Sequence, residues 1–143
     1  MSNEVSVRTS LQISNSPLIY QSQPTTFQAD QTGKNGPTPG AILVAVTGTD
    51  VDLSQLTTPG FCWMMNLDST NFVEYGIHDV STGTFYPLGE LLPGEIAILR
   101  LSRWLGGEYA EPGMGTAGSL TGSKLCFRAD TAACRVRVEA FEK

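Results

Sequence analysis

Apolar and polar residues alternate along most of this chain, and a period of two marks β-strands with one face buried. Val5, Val7, Thr9, Leu11 and Ile13 alternate with Ser6, Arg8, Ser10 and Gln12, which predicts a half-buried strand close to the N-terminus. Residues 18–28 continue in extended style, with Pro24 marking a strand edge or a break. Residues 31–40, QTGKNGPTPG, read as a loop, because their glycines, prolines and Asn35 sustain neither a helix nor a ladder. The apolar run 41–46 has the length and β-branched content of a strand covered on both faces. Residues 48–52 turn the chain, and Asp52 is placed to cap a short helical turn over 52–56 that Pro59-Gly60 ends.

The same period continues downstream. Phe61, Trp63, Met65 and Leu67 alternate with Cys62, Met64, Asn66 and Asp68. In the next strand Val73, Tyr75 and Ile77 face one way, and Glu74, Gly76 and His78 the other. Ser81-Thr82-Gly83 predicts a hairpin, Phe85-Tyr86 the return strand, and residues 87–94 a loop with a Pro93-Gly94 turn. Residues 95–103 fit a helix or a strand, and their β-branched content and the preceding Pro-Gly favour a strand. The glycine-rich stretch 106–122 reads as a long exposed loop. Strands are expected over 124–128 and from Cys134, where Val136, Val138 and Ala140 alternate with Arg135, Arg137 and Glu139.

Eight or nine short strands joined by Gly/Pro turns predict an all-β protein, an antiparallel β-sandwich. A jelly roll matches the strand count, with an immunoglobulin-like sandwich second. At 143 residues the chain is expected to be a single domain over residues 1–143, large enough to bury roughly 70% of its unfolded surface. The core is expected to hold Val7, Leu11, Ile42, Val44, Trp63, Met65, Val73, Tyr75, Ile77, Ile98, Phe127, Val136 and Val138.

Charge changes this picture in one respect. Only 16% of residues are charged and the net charge is −5. Between Asp30 and Glu95 nearly all charges are acidic, Lys34 being the one base, whereas Arg100, Arg103, Lys124, Arg128, Arg135, Arg137 and Lys143 follow. Such a division fits ordinary solvated faces or head-to-tail contact between copies. It does not provide the concentrated positive charge that nucleic-acid binding rests on. No apolar run approaches the roughly 20 residues of a membrane-spanning helix, so no membrane partner is expected. The N-terminus has no basic stretch followed by an apolar core, which points to synthesis in the cytoplasm. Cys62, Cys126 and Cys134 are odd in number and widely spaced, as expected of reduced, buried thiols.

Candidate chemistry is sparse. His78 is the only histidine. With Glu74 four residues away on the same strand face, about 13 Å at a rise of roughly 3.3 Å per residue, the two are too far apart to share an ion. No GxSxG elbow places a nucleophile, and one histidine is little from which to build a catalytic base. Gly113-Met-Gly115-Thr-Ala-Gly118 matches GxGxxG but has no strand before it or helix after it, so it is read as loop composition. No enzyme activity, cofactor or metal is therefore expected. Trp104 and Tyr109 flank a Gly-Gly turn, where an exposed ring can meet a partner or a sugar. Val5 and Val7 lie on a first strand that can add to the edge of a neighbouring sheet. These four residues are the candidate partner-binding positions.

One stretch carries a resemblance. Asn66-Leu-Asp-Ser-Thr-Asn-Phe-Val-Glu-Tyr-Gly76, then Phe85-Tyr86-Pro87, Pro93-Gly94-Glu95 and residues 96–103, resemble small β-sandwich structural proteins of tailed-phage virions. It covers about residues 61–103, under a third of the chain, and is a pattern of turns and strands rather than a catalytic signature. Asn66, Asp68, Ser69 and Asn71 are residues that close side-chain-to-backbone turns. The resemblance implies a non-enzymatic virion protein made in the host cytoplasm: a capsid decoration or cement protein, or a neck or tail component. Its implied partners are itself, as a homo-oligomer with a trimer favoured, and other virion proteins such as the major capsid protein. The alternative function is a glycan- or receptor-binding fibre or lectin-like module.

Overall fold

Twelve β-strands and no helix make up the described part of the computed structural model, residues 4–102, 105 and 123–143. By its contacts the chain divides into two compact units, Met1–Thr32 and Gly33–Lys143, where the sequence suggested one domain over 1–143.

The first unit is a folded-back ladder. β1 (Val5–Thr9) pairs antiparallel with β4 (Thr25–Ala29), and β2 (Gln12–Asn15) with β3 (Leu18–Gln21) across a Ser16-Pro17 turn. The alternation over residues 5–13 thus spans two strands rather than one. Leu11 falls between them, donating its N–H to Ser22 Oγ at 2.7 Å and accepting from the Ser22 N–H at 2.8 Å, and it is exposed rather than in a core. Pro24 sits in the break between β3 and β4, as expected.

The described residues of the second unit form a two-layered antiparallel β-sandwich of eight strands. They are β5 (Thr38–Val44), β6 (Thr49–Asp50), β7 (Pro59–Asn66), β8 (Val73–Asp79), β9 (Thr84–Leu91), β10 (Ile96–Arg100), β11 (Ser123–Ala129) and β12 (Cys134–Glu142). One sheet has the order β10-β7-β12-β5 and the other β6-β11-β8-β9. Between them lie Val44, Met64, Val73, Leu125, Phe127, Val136 and Val138, all buried.

β12 sets the phase of its sheet. Its alternation is unambiguous, with Cys134, Val136, Val138 and Ala140 buried and Arg135, Arg137 and Glu139 pointing away. Residues opposite each other in an antiparallel pair share a face, so register carries this choice across the ladder. Val136 lies opposite Asn66, Val138 opposite Met64 and Ala140 opposite Cys62. Arg137 and Glu139 lie opposite Met65 and Trp63. β7 is apolar on both faces and takes the phase its neighbour dictates. Trp63 and Met65, expected in the core, are therefore half-buried on the outer face, and Cys62, Met64 and Asn66 are the core residues. β10 follows, with Ile98 opposite Trp63 and Ile96 opposite Met65. Ile98 is 42% exposed, correcting its core assignment, and Ala97 and Leu99 pack inward instead. On β5, Leu43 lies opposite Arg135 and is 63% exposed, so this edge strand is covered on one face, not both.

Other expectations fare differently. Residues 87–91 belong to β9 rather than to a loop. β9 is an edge strand, where the missing N–H of Pro87 costs no inner ladder bond, and the register shifts where Pro87 faces Gly76. A Cβ at Gly76 would run into the Tyr86 carbonyl oxygen, so glycine is required by this close approach. Residues 38–40 already belong to β5. Residues 52–56 form a turn rather than a helix, with Asp52 Oδ1 accepting from Ser54 N–H at 2.9 Å. Residues 96–100 form the expected strand. The stretch 106–122 lies outside the described residues.

Candidate functional site

The outer face of the β10-β7-β12-β5 sheet carries an unusual mixture for a solvated surface. Phe61, Trp63 and Met65 on β7 run down its middle, flanked by Ile96 and Ile98 on β10, and Leu43 on β5 lies beyond β12. Among them stand Arg100, Arg135 and Arg137. The Arg100 guanidinium lies 5.2 Å from the Phe61 ring centroid, and that of Arg137 lies 5.9 Å from the Trp63 centroid. Arg137 also pairs with Glu139 at 2.5 Å. Aromatic, Met and Arg side chains on one surface have the composition of a protein–protein contact. Planar guanidinium groups over rings keep the apolar surface compatible with water until a partner displaces it.

The outer face of the β6-β11-β8-β9 sheet is polar and internally paired. Arg128 holds Glu74 Oε2 through Nε at 2.8 Å and lies 4.9 Å from the Phe85 ring centroid. His78 Nδ1 meets Asp50 Oδ1 at 2.7 Å, and Lys124 Nζ is 3.9 Å from Asp50 Oδ2. Cys126 lies opposite Asp50 and lines the same cleft of about 140 Å³ with Thr47, Gly48, His78, Gly83 and Phe85. A thiol, an imidazole and a carboxylate together invite a nucleophile reading. The electrostatics oppose it: burial pushes the Cys126 thiol up to about 11, and the charge of Asp50 adds to the rise. That thiol is protonated at neutral pH, and the thiolate is the reactive form. Among the described residues no group of three or more His, Cys, Asp or Glu side chains is placed to share a metal ion. Burial likewise holds the Cys62 thiol at about 12 and raises that of Cys134, and all three cysteines are buried and unbridged.

The motif 66–71 is structural. Asn66 is fully buried; its side-chain NH₂ donates to the carbonyls of Asn71 at 2.9 Å and Leu91 at 3.0 Å, and its Oδ1 accepts from Asp68 N–H at 2.9 Å. Its backbone pairs with Gly94 and Glu95, tying β7 to the Pro93-Gly94 turn, where Gly94 adopts φ +79°. Asp68 Oδ1 in turn accepts from the N–H groups of Thr70 and Asn71, both at 2.8 Å.

Of the four sequence-derived contact residues, Val5 is half-buried and Val7 buried on β1, which already pairs with β4. Trp104 and Tyr109 lie outside the described residues. The face built on Trp63 was missed because both phases of β7 are apolar; the signal that locates it is the charged phase of β12. Among the described residues no helix is long and apolar enough to cross a membrane. Comparison with protein-family models, curated proteins and solved structures finds no match to this chain.

Proposed function

We propose that this chain is a non-enzymatic structural protein of a tailed-phage virion, a capsid decoration or cement protein that stabilises the shell through protein contacts. A neck or tail position is the nearest variant of the same reading. The observation that carries it is the outward face of the β10-β7-β12-β5 sheet, where Phe61, Trp63, Met65, Ile96 and Ile98 stand outside the core among three arginines. Contiguous exposed apolar surface of this kind marks an interaction site. The resemblance of residues 61–103 to virion sandwich proteins supplies the setting, and the eight strands of the sandwich suit a jelly roll within the same reading. Its partners are other virion proteins, the major capsid protein first, and copies of itself.

Cosedimentation with assembled phage shells and with tails tests the reading. Saturable binding to one of them is the expected result. No binding to either, together with glycan-array binding, overturns it in favour of a glycan-binding module.

A further inference from the structure

We propose that the outward face of the β10-β7-β12-β5 sheet of one copy packs against the β9 margin of the next copy, in a head-to-tail contact. This deepens the assembly reading and rests on it, naming the occupant of the same face.

Charge complementarity carries the choice of partner. The face holds Arg100, Arg135 and Arg137 against Glu139. A two-fold contact of the face with itself sets arginines against arginines, and like charges brought together oppose association. The complementary surface is the β8–β9 hairpin. Residues 73–91 contain Glu74, Asp79 and Glu90 and no lysine or arginine. Glu74 is paired with Arg128, which leaves Asp79 and Glu90 to set the sign of this margin. Along it Tyr86 and Leu88 are exposed, Leu88 at 67%, where the register shift pushes an extra residue out of the ladder. The margin therefore offers apolar side chains beside carboxylates to a face of rings beside guanidinium groups. Pro87 in the middle of β9 removes a backbone donor, so the contact is made by side chains rather than by adding a strand. A contact between two different patches leaves one of each free at the ends, so it closes into a ring or grows as a filament.

Light scattering of the purified full chain, with circular dichroism to confirm folding, tests this. The wild type is expected to associate at low salt and to dissociate as salt rises, because the attraction between exposed charges is screened. Arg135→Glu and Glu90→Arg are each expected to be folded monomers. Mixed in equal amounts they are expected to associate again, since the intact margin of one meets the intact face of the other and the two reversed patches are themselves complementary. Arg100→Glu at the opposite end of the face repeats the first arm should Arg135→Glu fail to fold. A wild type monomeric at every concentration, a variant that assembles like the wild type, or a mixture that stays monomeric overturns the inference. A monomer that still cosediments with shells defeats this inference alone; a monomer that binds neither shells nor tails defeats the assembly reading as well.

Discussion

The two units of this chain use the same alternating pattern to different ends. In Gly33–Lys143 alternation buries one face of each sheet against another sheet, and the result is a buried core that includes Val, Leu, Met and Phe side chains. In Met1–Thr32 it yields two-stranded ladders, and Leu11, Leu18, Ile19 and Tyr20 remain exposed, Ile19 at 77%. A two-stranded ribbon is marginal in water without a further layer. Periodicity reports that a face is apolar; what covers that face is decided by the number and phase of the neighbouring strands.

The sharpest way to break this contrast is to remove large apolar side chains from each unit and follow urea denaturation. Phe127→Ala is expected to cost about 3–5 kcal/mol, whereas Ile19→Ala should stay within about 0.5 kcal/mol. Comparable losses at both positions would erase the distinction. Next in size is Asn66→Ala, which strands the Asp68 N–H and the Asn71 and Leu91 carbonyls. A cost of about 2–3 kcal/mol is expected from the same denaturation curves.

How far the sequence reads through to the structure follows from these residues. β12 announces its two faces because arginine and valine differ so sharply, and β8 and β11 are similarly clear. β7 is not, since Trp63 and Met64 are equally plausible core residues until the register with β12 is known. The turns around Asn66 and Pro93-Gly94 were legible, because Asn, Asp, Pro and Gly each have a local physical reason to be there. The outer-face clusters were not: Asp50 meets His78 across 28 residues and Arg128 meets Glu74 across 54, and pairs so distant have no local signature.

Smaller effects sharpen the comparison further. All three cysteines lie in the sandwich and none in the N-terminal unit, so thiol labelling follows the sandwich alone. Labelling of Cys62 and Cys134 is expected only at the rate of global unfolding, and rapid labelling in the native protein would contradict their burial. Last comes acid. Hydrogen bonds from Thr57, and then from the Asn35 and Lys34 N–H groups, hold the Glu142 carboxyl below its ordinary 4.5, and the N–H groups of Asn71 and Thr70 hold Asp68 below 3.8. A lowered pKa means the unfolded chain binds protons first. The stabilisation is therefore complete above the ordinary carboxylate values and is lost as pH falls through the lowered ones. Thermal melts should show a steeper acid decline for the wild type than for Glu142→Gln.

The central claim is that the Trp63 face serves contact and not the core, and Trp63→Ala separates the two most directly. With its ring half-buried and outward, the variant is expected to lose about 1 kcal/mol of stability while its self-association in light scattering is abolished. A variant that associates like the wild type, or one that unfolds as a core truncation does, would contradict the account.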